Sequence, residues 1–177
     1  MHLLSFVDNH DVSRIASVLK NEKHIPLIYA LMFAMPGIPC IYYGSEWGEK
    51  ADKSQGDPAL RVSFDEPQSN ELTEWISKLA AAHRESRALC FGSFSVLLLT
   101  NKQCIIEREA DGERVLAAIN ADGESFDAHF DARCGKAADL ITGREHDFGG
   151  GSELPPYSAF LMEVREIKIF FHAVILC

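Results

Sequence analysis

The pattern of apolar and polar positions divides the chain into two styles. An apolar run, Leu3 to Val7, reads as a buried strand and opens directly into the polar cluster Asp8-Asn9-His10-Asp11. Val12 to Leu19 continues as a short helical or irregular segment. Between Asn21 and Met35, residues Ile25, Leu27, Ile28, Leu31, Met32 and Met35 include i, i+3, i+4 and i+7 spacings, with further apolar residues on the other faces. That pattern predicts a helix buried nearly all round. Pro26 is tolerated because the first helical turn has no backbone donor to lose, and Pro36-Gly37 stops the helix. Ile38 to Gly44 is a second short apolar strand. Strand, polar loop, helix, strand, polar loop is one βαβ step of a parallel sheet. Such folds present their chemistry at the carboxyl ends of strands, where Asn9-His10-Asp11 falls.

Ser45 to Asp65 is polar and rich in turn formers, and loops of that length inside a domain are usually functional. It contains Asp57-Pro58-Ala59-Leu60-Arg61. Asn70 to Ser86 is an amphipathic helix with Leu72, Trp75, Ile76, Leu79 and Ala80 on its apolar side and a favourable Glu74/Lys78 pair outside. At Ala88 to Gly92 the style changes. Short strands follow at Phe94–Thr100, Gln103–Glu109, Arg114–Asn120, Ser125–Phe130, Ala137–Ile141 and Ser158–Val164. Turn signals separate them, Asp111-Gly112 and Asp122-Gly123 being strong hairpin signals. Gly149-Gly150-Gly151-Ser152 reads as a flexible loop. The expected class is therefore α/β followed by all-β: a parallel βα portion over residues 1–90 and a small antiparallel β-sandwich over 91–166. The apolar tail 167–177 fits neither portion. It is too short to span a bilayer and reads as an added edge strand or a non-native extension.

Composition narrows the partners. Of 177 residues, 47% are hydrophobic and 24% charged, as in a globular protein. The formal charge of −9, with no Lys/Arg cluster, argues against nucleic acid or an anionic membrane as partner. Five scattered cysteines form no C-x-x-C pair, so neither zinc nor a disulfide framework is expected; reduced, buried thiols and a cytoplasmic setting are. Met1-His2-Leu3-Leu4 shows no signal peptide. No cofactor or metal is expected.

The motifs carry a resemblance. Phe6-Val7-Asp8-Asn9-His10-Asp11 resembles the fourth conserved region of the α-amylase family of glycoside hydrolases, and Met35 to Glu46 resembles that family's eighth barrel strand and the loop after it. Arg84, Ala88-Leu89 and Gly92 are similar to the exit of the eighth helix, and Leu154-Pro155-Pro156-Tyr157-Ser158-Ala159 to a late strand of the following β-sandwich. The matches run in family order over about residues 3–165, with the polar loop closest to the cyclomaltodextrinase, neopullulanase and oligosaccharide α-glucosidase branches. The resemblance implies the last two βα units of a (β/α)8 TIM barrel plus a β-sandwich, acting on α-glucan or maltooligosaccharide by a retaining mechanism. Asp11 matches the carboxylate that hydrogen-bonds sugar hydroxyls and stabilises the transition state. His10 matches a holder of neighbouring hydroxyls, and Asp57 and Arg61 match binders of the next glucose unit. Ser45 stands where the family commonly has Asp.

The resemblance also implies what is missing. The nucleophile Asp and acid/base Glu follow the fourth and fifth strands, and this chain starts at the seventh. Asp8, Glu46 and Glu49 match no catalytic motif. Because the paired-carboxylate mechanism needs both groups, the 177 residues alone are expected to be inactive. Without the resemblance, His10 and Asp11 make a loop hydrogen-bond pair or cap, Asp57 and Arg61 a surface ion pair, and Tyr42, Tyr43 and Trp75 core residues. Trp47 in the polar loop could stack on a sugar. Three readings stay open: the carboxyl-terminal piece of an α-amylase-family hydrolase, a non-catalytic carbohydrate-binding module using the β-sandwich, and a non-functional truncated product.

Overall fold

Two short parallel strands and one large antiparallel sheet share a helical layer between them. The computed structural model describes residues 3–148 and 151–164; Gly149, Gly150 and the tail 167–177 singled out above lie outside the described residues. In order the elements are β1 (Leu4–Ser5), α1 (Ile15–Val18), α2 (Ile25–Ala34), β2 (Ile38–Pro39), α3 (Asp57–Leu60), α4 (Glu71–Glu85) and α5 (Arg87–Phe91). They are followed by β3 (Ser93–Leu99), β4 (Gln103–Ala110), β5 (Glu113–Asn120), β6 (Phe126–Ala128), β7 (Lys136–Asp139), β8 (Glu145–Asp147), β9 (Ser152–Leu154) and β10 (Ser158–Val164). Short 3-10 turns at Glu22–His24, Ser45–Trp47 and Lys53–Gln55 complete the first half, so the polar loop is built from tight turns.

β1 and β2 pair in parallel, Leu4 opposite Ile38 and Ser5 opposite Pro39. Gly37 lets them meet: at its φ of +129° a Cβ would lie 2.3 Å from Ser5 Oγ and 2.8 Å from the Leu3 carbonyl. The βαβ step is present, but the expectation of a buried first strand is corrected. Leu4 (60%), Phe6 (50%) and Ile38 (52%) are exposed, because two strands alone cannot cover each other and no closed barrel forms among the described residues. α2 is buried as its all-round apolar pattern demands, with Leu27, Tyr29, Ala30, Met32, Phe33 and Ala34 all inaccessible.

The large sheet has strand order β3-β4-β5-β10-β7-β8, every pair antiparallel. Its period-two alternation feeds two cores. Ile106, Val115, Ala117 and Leu161 face α2, α4 and α5, while Ile105, Leu116, Ala118 and Met162 face the separate two-stranded sheet β6–β9. In the second half the larger sheet is thus covered by helices on one face and by a two-stranded sheet on the other. Asp111-Gly112 is the two-residue hairpin loop its sequence announces, with φ positive at both positions. Asp122-Gly123 behaves differently, since the chain leaves the large sheet there and β6 pairs with β9.

Arg108 joins the halves. Its buried guanidinium donates to the carbonyls of Ala34, Gly92 and Ser93 at 2.9, 3.0 and 2.9 Å. Gly92 has to be glycine, because a Cβ there would lie 2.3 Å from the Ala88 carbonyl. The expected Glu74–Lys78 pair is corrected: it is not among the ion pairs of the described residues, as for many exposed helix pairs whose side chains stay solvated. Cys40, Cys90, Cys104 and Cys134 are free and only half-buried, less enclosed than expected. None of the described helices is long and apolar enough to cross a membrane.

Candidate functional site

His10 and Asp11 sit in the turn after β1. The Asn9 side-chain oxygen accepts the Asp11 backbone N–H at 2.8 Å and fixes that turn. Asp57 and Arg61 come from one turn of helix further along. Gly56 enters α3 with φ +86°, Pro58 lies in its first turn, and Arg61 caps it by donating its N–H to the Asp57 carbonyl. An i, i+4 spacing therefore puts both side chains on one face.

The fold brings all four together. His10 Nε2 lies 3.2 Å from Asp11 Oδ2, and Arg61 Nη2 lies 3.3 Å from Asp11 Oδ1. Arg61 Nη1 is 3.8 Å from Asp57 Oδ2, while Lys53 Nζ makes the closer contact to Asp57 at 2.8 Å. Hydrogen bonding and charge from Lys53, then the charge of Arg61, hold the Asp57 carboxyl below the usual carboxylate range. The four side chains are half to two-thirds exposed, so their mutual ion pairs add little to stability. The arrangement is an open corner of two acceptors, a planar multi-donor and an imidazole, well suited to vicinal hydroxyls.

Beneath the corner lies a network that periodicity could not foretell. Asp8 is buried and accepts the Ile15 N–H at 2.8 Å, which closes the loop carrying His10 and Asp11. The Ser45 hydroxyl donates to Asp8 Oδ2 at 2.8 Å and accepts from Arg14 Nη1 at 3.0 Å. Arg14, wholly buried, also donates to the Tyr43 and Leu60 carbonyls, and its guanidinium lies 4.1 Å from the centre of the Tyr42 ring. Leu60 precedes Arg61, so the network links the Asp11 loop, the strand exit and α3 in one knot. The Tyr29 phenol donates to the Ser45 carbonyl at 3.2 Å, and burial, with the Asp8 charge behind it, raises its pKa strongly. Asp8 thus has a supporting position, and Ser45 is a hinge between buried charges. A lone arginine in the stretch Val12-Ser13-Arg14-Ile15-Ala16 was the only sequence signal.

The aromatic residues divide. Tyr42, half-buried, donates to the Leu60 carbonyl at 3.1 Å and stands 6.4 Å from the His10 ring. Tyr43 is partly exposed and, with Trp47, Phe64 and Arg61, lines a cavity of about 500 Å3 beside the corner. Trp75 donates its indole N–H to the Pro26 carbonyl at 3.0 Å and locks α4 to α2. In the sheet half, Phe126, Phe130, Phe148 and Phe160 pack against the second core and do not form a platform. Groups of three or more His, Cys, Asp or Glu side chains placed to hold a metal ion do not occur among the described residues.

Comparison with known proteins identifies the family of the chain. A sequence model described as the α-amylase catalytic domain matches residues 1–119. Cyclomaltodextrinase of Geobacillus thermopakistaniensis is 28% identical over 171 residues, which is 91% of this chain and 29% of that enzyme. Cyclomaltodextrin glucanotransferase of Paenibacillus macerans is 28% identical over 119 residues, 67% of this chain and 16% of that enzyme. An α-amylase of Geobacillus thermoleovorans, solved with acarbose, superposes with a TM-score of 0.84 at 24% identity over 94% of this chain and 39% of its own. The chain therefore spans less than a third of the first of these curated relatives and under a fifth of the second.

Proposed function

The chain belongs to the α-amylase family, and on that premise we propose that it supplies the carboxyl-terminal part of a retaining α-glucan hydrolase: the last two βα units of a (β/α)8 barrel and the β-sandwich after it. The observation that carries this reading is the His10–Asp11–Arg61–Asp57 corner, in which residues up to 51 positions apart converge on one open face. Asp11 accepts hydrogen bonds from sugar hydroxyls beside the reacting carbon, contacts that strengthen as the ring distorts toward the transition state. His10 donates to a neighbouring hydroxyl of the same ring. Arg61, already shared between Asp11 and Asp57, bridges that sugar to the next, with Asp57 as its acceptor.

Retention of configuration requires a nucleophile and an acid/base roughly 5–5.5 Å apart. Asp11 matches the hydroxyl-binding third carboxylate rather than either of these groups, and Asp57 is engaged by Lys53 and Arg61. The 177 residues by themselves are therefore expected to bind α-glucan weakly and not to cleave it. The test is an NMR titration of the chain with maltotriose. Amide shifts should concentrate in residues 8–12 and 57–62, and Asp11→Asn should weaken that response about tenfold, near 1.4 kcal/mol. Shifts elsewhere only, or no effect of Asp11→Asn, would remove the corner from the sugar site. Measurable hydrolysis of maltooligosaccharides by the chain alone would overturn the account of the absent carboxylates.

A further inference from the structure

A second cavity lies on the far side of Trp47. It is about 600 Å3, within the range of small-ligand sites. Its walls are the entrance of α2 (Ile25, Pro26), the entrance of α4 (Leu72) and the turn that follows β2, and Trp47 and Trp75 both line it. At the rim stand Glu71, an exposed residue, and the Glu22–Lys50 ion pair at 2.6 Å. Lys50, through its hydrogen bond and charge, depresses the Glu22 pKa. The cleft is held in shape from behind. Trp75 Nε1 donates to the Pro26 carbonyl at 3.0 Å, Asn70 Nδ2 donates to the Trp47 carbonyl at 2.9 Å, and Thr73 Oγ1 donates to the Glu46 carbonyl at 3.0 Å.

We propose that this cleft is a second saccharide-binding site, separate from the Asp11 corner, which takes a short neutral α-glucan against the two tryptophans. The identification of the glucan rests on the proposed function, whereas the cleft's capacity for a sugar rests on its own chemistry. Sugar rings offer an apolar C–H face and an equatorial belt of hydroxyls. Indole faces suit the first, and rim carboxylates with an ammonium suit the second. The rim carries both signs of charge and compensates one of its carboxylates internally, which disfavours a strongly charged ligand and leaves Glu71 to accept from a neutral one. Trp47 also lines the cavity beside Arg61. The two sites thus share a wall, and one glucan chain held at the cleft is kept near the corner.

Trp47 and Trp75 are the only tryptophans in the chain, so indole fluorescence reports on the cleft and, through Trp47, on the wall it shares with the corner. Titration of the full chain with maltoheptaose should give a saturable change in indole emission. The change should survive in Asp11→Asn, and its midpoint should shift at least fivefold to higher concentration in Glu71→Gln, which keeps the shape of an exposed side chain. A silent indole signal, or one that vanishes in Asp11→Asn and ignores Glu71→Gln, overturns the cleft. If the amides of residues 8–12 still respond to maltotriose while the indoles stay silent, the cleft falls and the proposed function stands. If both readouts are silent, both fall.

Discussion

Arg14 shows how a single residue organises the corner without touching a sugar. Its guanidinium has no solvent exposure; the two Nη groups donate to two backbone carbonyls and one hydroxyl, the plane lies over an aromatic face, and the buried Nε has no hydrogen-bond partner. A buried charge removed from such a knot leaves Asp8 to face an uncompensated interior, and breaking a buried charged network typically costs about 3–5 kcal/mol. Arg14→Met should therefore lower the urea midpoint strongly. Ser45→Ala is the milder probe. It deletes one hydroxyl that serves two charged neighbours, with an expected loss of about 1–3 kcal/mol. Because the knot sets the position of Leu60, and Leu60 precedes Arg61, Ser45→Ala should also weaken the maltotriose response of residues 57–62. Full retention of that response alongside a normal urea midpoint would show that the knot does not position the corner.

Elements followed their local signals most faithfully where termini and turns carried the chemistry. Asn70 caps α4 by accepting the Thr73 N–H at 3.1 Å, and the Thr73 hydroxyl accepts the Asn70 N–H in return. Asn at the start of the helix is a favoured cap, but Thr at the third position departs from the usual Glu or Gln of a capping box. Asn70→Ala should cost about 1 kcal/mol, visible as a drop of a few degrees in Tm; the same substitution also frees the Trp47 carbonyl and should make the indole emission more solvent-like. The β4–β5 hairpin was legible, since Asp-Gly supplies the two positive φ values a tight turn needs. The failures are also local. β8 and β9 are three residues each and carry no run long enough to register as alternation. α5 was invisible because five residues lack a period to read.

At the scale of the molecule, the six-stranded sheet is the shared wall of both cores, and one polar cluster at its surface links stability to pH. Glu107 is nearly buried and is held by Arg114, with Nε at 2.9 Å from Oε2, and by Arg133. Burial acts to raise its pKa, but the two guanidinium groups outweigh it and the net effect is a lowered one. A carboxyl whose folded pKa lies below its unfolded value stabilises the fold above the unfolded value, about 4.3, and loses that contribution as pH falls through the folded one. Stability should thus decline below about pH 4. Glu107→Gln should be less stable near neutrality and show a shallower acid decline, measured by urea midpoints from pH 3 to pH 7. An identical slope in the two proteins would assign the acid response elsewhere.

Much of the architecture is decided by local rules that need only the sequence. α2 is buried because no face of it is polar, Pro36-Gly37 ends it, and the paired strands of β4 and β5 follow from alternation around Asp-Gly. His10 and Asp11 could be picked out at the end of an apolar run as types that grip hydroxyls, whereas Asp57 and Arg61 were reached only through the family resemblance. Tertiary structure alone decided the rest. β10, the last of the described strands, enters between β5 and β7, a choice set by which apolar faces remain uncovered after both cores form. The burial of Arg14, Asp8 and Ser45 depends on three loops arriving together, and a charged residue carries no local mark of whether its partners will be water or carbonyls. Asp11 and Arg61, fifty positions apart, become neighbours for the same reason: short-range patterns determine elements, while the pairing of distant polar groups is settled by how those elements pack.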